Sequence, residues 1–112
     1  PLIIHCVKGI DEIIAARKDI APAQPWIMHG FRGKPQQAMQ LARAGMYISL
    51  GEHFNASTAK AIPASRLFIE SDESLIGIDT LYARAARLRG IGAEELKEQV
   101  SKNIKSLIKY DD

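Results

Sequence analysis

Strand-like and helix-like segments alternate along all 112 residues, and no other feature constrains the fold as much. Residues 2–7, LIIHCV, form a short apolar run with β-branched residues and predict a strand. Ile10, Ile13, Ile14 and Arg17 stand at helical spacing with Asp11 near the start, which predicts a helix over 11–18. Pro22 and Pro25 interrupt the chain before a second strand at 26–29. The loop from Gly30 to Gly33 leads to Pro35, a favoured first-turn residue. Ala38, Leu41 and Ala42 mark the buried face of that helix and Gly45 its stop. A third strand is expected at 46–50, ended by Gly51. Asn55 can cap a short helix running through Ala61, which Pro63 stops. A fourth strand at 66–71 precedes a helix over 76–89 with Gly90 as its stop. The last helix, 93–109, carries Leu96, Val100, Ile104 and Leu107 as its apolar stripe.

The strand runs lack polar alternation, as parallel strands covered on both faces do. The pattern is therefore α/β with a parallel sheet. Four strands are too few to close a barrel and equal about half of a TIM (β/α)8 barrel of roughly 250 residues. Residues 1–112 read as a single partial domain. Half a barrel leaves two strand edges and an apolar interior face uncovered. The chain is therefore not expected as a lone stable monomer. A missing N-terminal half, a second copy or a rearranged edge should cover that face.

Three predicted strands end in metal-ligand residue types: His5, His29 and Asp72. Two imidazoles and a carboxylate suit divalent metals such as zinc or manganese, and strand C-termini are where α/β barrels build active sites. Strand parity puts His5 with Ile3, His29 with Ile27, and Glu70 and Asp72 with Phe68. If those faces line a barrel, polar residues form a top layer above apolar ones. Taken singly, each histidine also reads as a structural imidazole, and Asp72 as a helix cap or turn residue. Lys8, Arg32 and Lys34 follow two of these segments, as phosphate contacts or as solvated loop charges. The net charge of +2 does not itself argue for nucleic acid. Cys6 excludes an intrachain disulfide and suits a reducing cytoplasm. Parity turns it away from His5, so it reads as a packing residue, not a nucleophile. His53 reads as a surface histidine. No apolar run is long enough to span a membrane.

These segments in combination resemble the TatD family of metal-dependent deoxyribonucleases. The family motifs stand here as Pro1-Leu2-Ile3-Ile4-His5, Trp26-Ile27-Met28-His29-Gly30-Phe31-Arg32-Gly33, Gly45-Met46-Tyr47-Ile48-Ser49-Leu50-Gly51 and Leu67-Phe68-Ile69-Glu70-Ser71-Asp72. Asn103, with Leu107 behind it, resembles the closing helix of the family. The resemblance implies an eight-stranded barrel of the metal-dependent hydrolase type, of which this chain is the C-terminal half. The absent half would normally supply a His-x-His pair and a bridging Glu. On this resemblance His5 and His29 bind one divalent ion (magnesium, manganese or zinc) of a pair. Asp72 binds the other and orients the attacking water, while Lys8 and Arg32 contact phosphate. Ser71 departs from the usual Thr, and the stretch after Asp72 lacks a long loop common in larger members, which points to a compact subgroup.

Three functions are compatible with these residues. The first is phosphodiester cleavage of DNA by a metal-activated water, with this chain supplying part of the site. The second is hydrolysis of a small phosphoester or amide, because a fold does not fix its substrate. The third is an inactive scaffold lacking the first-strand ligands.

Overall fold

Four parallel strands pair in their sequence order: β1 (Leu2–His5), β2 (Trp26–His29), β3 (Tyr47–Leu50) and β4 (Leu67–Ile69). The structure is a computed structural model that describes residues 2–5, 12–15, 25–70 and 77–108. Helical segments alternate with the strands: α1 (residues 12–15), α2 (Pro35–Arg43), α3 (Ala56–Ala61), α4 (Ile78–Arg89) and α5 (Ala93–Ile108). A 3-10 turn at Ala64–Arg66 leads directly into β4, so that strand is shorter than the apolar run suggests. Its pairing nevertheless continues one residue further, because the Glu70 N–H donates to the Leu50 carbonyl at 2.9 Å.

The register divides the sheet into two faces. Ile27 pairs with Tyr47, and Ser49 with Phe68, so these residues lie on one side. Met28, Ile48 and Leu67 lie on the other, where each is fully buried. The helices cover this second face with Ala38 and Leu41 of α2, Leu81 and Ala85 of α4, and Leu96 and Val100 of α5. Truncating a core residue of this kind, such as Leu41, to alanine costs about 2–5 kcal/mol.

The first face is the side on which an open half barrel should expose apolar surface. Among the described residues of this face Ile27 is partly buried, and Tyr47 and Phe68 pack together on it. Tyr47 and Phe68 are only 6% and 8% exposed. Their rings sit 5.4 Å apart, and the Arg66 guanidinium lies 4.9 Å over Tyr47. Arg66 is held there by a bond to the Gly45 carbonyl. The radius of gyration is 13.4 Å, close to the ~13 Å of a compact domain of this length.

Helix ends follow local chemistry. The Asn55 side chain accepts from the Ser57 and Thr58 N–H groups and starts α3. Pro35 opens α2. Gly45 and Gly90 adopt left-handed φ of 87° and 72°. Each ends its helix with a paired closure: Gly45 to Ala42 and Met46 to Leu41, then Gly90 to Arg87 and Ile91 to Ala86. One assignment on α5 is overturned. Ile104 is 46% exposed, and Asn103 takes the inward position at 3%. The Asn103 amide donates to the Ala64 and Leu67 carbonyls, both at 2.8 Å, tying α5 to the entry of β4. A polar residue is inward because the strand entry offers carbonyls that an isoleucine leaves unpaired.

Candidate metal centre

The upper ends of the strands carry the polar residues of the inner sheet face. His29 is the last residue of β2 and stands two positions beyond Ile27. Ser49 stands two beyond Tyr47 on β3, and Glu70 two beyond Phe68 just past β4. The period-2 geometry of a strand thus puts an imidazole, a hydroxyl and a carboxylate above an apolar layer; the parity argument anticipated the imidazole over Ile27 and the carboxylate over Phe68, and not the hydroxyl.

These groups touch. His29 Nε2 lies 3.1 Å from Glu70 Oε1, with the side chains 22% and 14% exposed. The Ser49 hydroxyl donates to the other carboxylate oxygen, Oε2. Ser49 itself is buried. Gly51 leaves room for the carboxylate, and Gly30 borders it at ordinary contact distance. A Cβ on Gly51 would lie 3.3 Å from Oε1, and one on Gly30, where φ is +62°, 3.5 Å from it. Sequence reasoning noted the parity of Glu70 and carried Ser49 within the motif from Gly45 to Gly51, but assigned a role to neither. The available signal was a serine interrupting the apolar run MYISL one layer above Tyr47.

The structure places the anticipated site residues as follows. His5 ends β1, and its backbone is the register partner of His29, on a strand ~4.8 Å away. Asp72 and Lys8 lie outside the described residues, as does Cys6. Arg32 is exposed and lines a cleft of about 240 Å³ together with Gly30, Gly51, His53, Phe54 and Glu70. His53 is a surface residue, its side chain 63% exposed and 3.6 Å from Glu52. A larger cleft of about 370 Å³, lined by Lys60, Arg89 and Glu95 among others, lies at the opposite, N-terminal ends of the strands. That end of such a fold serves stability, so the smaller cleft adjoins the chemistry.

Among the described residues, no group of three or more His, Cys, Asp or Glu forms a cluster able to hold a metal ion. Two donors, His29 and Glu70, do lie together, and the register sets the His5 position beside them. Imidazole and carboxylate are donor types that magnesium, manganese or zinc accept, so the chemistry of this corner suits a divalent ion, while the described residues by themselves make no complete donor set. Among the described residues, no helix is long and apolar enough to cross a membrane.

Known proteins share this fold. A solved structure of a TatD-family hydrolase from Entamoeba histolytica superposes with a TM-score of 0.81 at 16% identity, covering 94% of this chain and 49% of its own. The structure of YJJV, a TatD homologue from Escherichia coli, gives a TM-score of 0.81 at 23% identity, covering 96% of this chain and 49% of its own. The four β/α units thus correspond to about half of a TIM barrel. The TATDN3 protein of Mus musculus, a putative deoxyribonuclease, is 28% identical in an alignment 97 residues long that covers 72% of this chain and 33% of the mouse protein. The chain therefore spans about a third to a half of the relatives it matches. The model of the family described as TatD-related DNase matches residues 1–109. The chain belongs to the TatD-related DNase family.

Proposed function

We propose that this chain supplies part of a divalent-metal site that hydrolyses phosphodiester bonds of DNA. The observation that carries the reading is the His29–Glu70 pair at the top of the inner sheet face, beside the register position of His5. Family membership supports it. His5 and His29 hold one ion, and Asp72 holds a second and orients the attacking water. A bound ion supplies a nucleophilic water at neutral pH and a Lewis acid for the phosphoryl oxygen. Arg32, exposed on the cleft beside Glu70, and Lys8 meet the phosphates. A complementary half barrel, from the rest of the polypeptide or from a second copy, pairs with β1 and β4 and adds the remaining ligands. The single cysteine accords with a cytoplasmic setting.

The test is cleavage of labelled single-stranded DNA with manganese or magnesium. It compares the complete protein, its Asp72→Asn variant and the 112-residue chain. Cleavage by the complete protein should fall at least ~100-fold in the variant, the scale of losing one electrostatic stabiliser. Cleavage of chromogenic phosphoesters but not of DNA moves the substrate to a small phosphoester. No hydrolysis of either refutes the proposal.

A further inference from the structure

We propose that His53 is a contact for the substrate's phosphates and that Arg84 is the residue that positions it; this rests on the phosphodiester reading above. The loop between β3 and α3 begins with a tight turn. The Phe54 N–H donates to the Gly51 carbonyl at 3.3 Å, so Glu52 and His53 occupy the two central positions. The chain on either side of His53 is then held from α4. Arg84 Nη1 donates to the Glu52 carbonyl, the acceptor of the turn's central peptide, at 3.3 Å. The same guanidinium lies 4.9 Å over the ring of Phe54, which is buried. Arg84 stands 32 residues from Glu52 in sequence and is not among the residues that line the cleft.

Glu52, His53 and Phe54 of this held turn line the cleft of about 240 Å³ that also takes in Arg32 and Glu70. The His53 side chain is 63% exposed, and its Nε2 lies 3.6 Å from Glu52, beyond hydrogen-bond reach. The backbone is thus fixed while the ring edge stays open, and an imidazole offers one N–H when neutral and two when protonated. A nucleic-acid strand carries further phosphates on either side of the one being cleaved. Contacts to them set the register of the strand without reading its sequence. His53 and Arg32, on two separate loops of one cleft, are placed to make such contacts. Holding the turn in advance lowers the ordering cost that binding would otherwise carry.

The test uses the complete protein. Binding of a labelled single-stranded oligonucleotide is read by fluorescence anisotropy, with calcium in place of manganese, and hydrolysis is read separately with manganese. His53→Ala should weaken binding ~10-fold, the scale of one hydrogen bond to a charged group. Arg84→Ala should weaken it several-fold. Arg84→Lys should weaken it less, because lysine keeps a donor and a cation for the Phe54 ring. The double variant His53→Ala, Arg84→Ala should bind no worse than His53→Ala alone, a coupling that a merely structural role for Arg84 does not produce. If Arg84→Ala does not fold, Arg84→Lys takes its place in the double variant. Unchanged affinity in His53→Ala overturns the contact, and additive losses in the double variant overturn the positioning role. The expected binding pattern without hydrolysis sinks the phosphodiesterase reading and keeps the contact. A wild type that does not bind the oligonucleotide overturns both.

Discussion

Replacing Asn103 with alanine should cost about 2–4 kcal/mol of folding stability. The side chain is 3% exposed and makes three hydrogen bonds: to the Ala64 and Leu67 carbonyls at 2.8 Å, and from Gln99 Nε2 at 3.0 Å. The three losses are unequal. Gln99 is half-buried and turns to solvent at little cost. The bond to Ala64 is partly buried, so water replaces the amide and the loss is about 1 kcal/mol. The bond to Leu67 is buried, and stranding that acceptor costs about 1–3 kcal/mol. Urea denaturation of the protein and its variant at neutral pH gives the difference directly, provided the slope of the transition is unchanged. Ile104→Ala is the matched control. The adjacent side chain is 46% exposed, and its removal should stay within about 0.5 kcal/mol. A loss below about 1 kcal/mol for Asn103→Ala, or a larger loss for Ile104→Ala, would refute the argument that the polar residue anchors this helix.

Gly90→Ala should cost about 1 kcal/mol, measured by the same denaturation, because φ is +72° and a new Cβ meets nothing within 4 Å. The penalty is then purely conformational, and a loss above about 2 kcal/mol would show that the space is not open. Burial raises the Tyr82 phenol above its ordinary value, with the Lys97 ammonium offsetting part of the rise. The folded form therefore holds its proton more tightly than the unfolded chain does. This contribution is fully present below the phenol's ordinary value of about 10 and is lost as pH rises through the higher folded value. Tyr82→Phe should flatten the alkaline limb of a stability-against-pH curve, and an unchanged limb would rule the phenol out as its source.

Local chemistry was the legible part of the sequence. Asn55, Pro35, Gly45 and Gly90 act within one helical turn, so their residue types alone mark the helix ends. Parity along a strand is also local, which is why His29 above Ile27 and Glu70 above Phe68 could be anticipated. Relations between elements were not legible. Which carbonyls await α5 depends on the 3-10 turn at Ala64–Arg66, and that turn decided between Ile104 and Asn103 for the inward position. The bond from Ser49 to Glu70 spans 21 residues and depends on the register of β3 against β4, which no periodicity encodes. The rings of Tyr47 and Phe68 likewise meet only because their strands are neighbours.

The strictly sequential strand order also bears on how the chain reaches its fold. Partners in the three strand pairs are 24, 20 and 19 residues apart, from Leu2 to Trp26, Ile27 to Tyr47 and Ile48 to Leu67. Closing loops of such similar length differs in entropic cost by only about 0.2 kcal/mol. No pairing must therefore wait for a distant one, and each strand emerging from the ribosome finds its template already made. A barrel assembled this way grows by accretion, one β/α step at a time, and its halves behave as successive stretches of one growing edge.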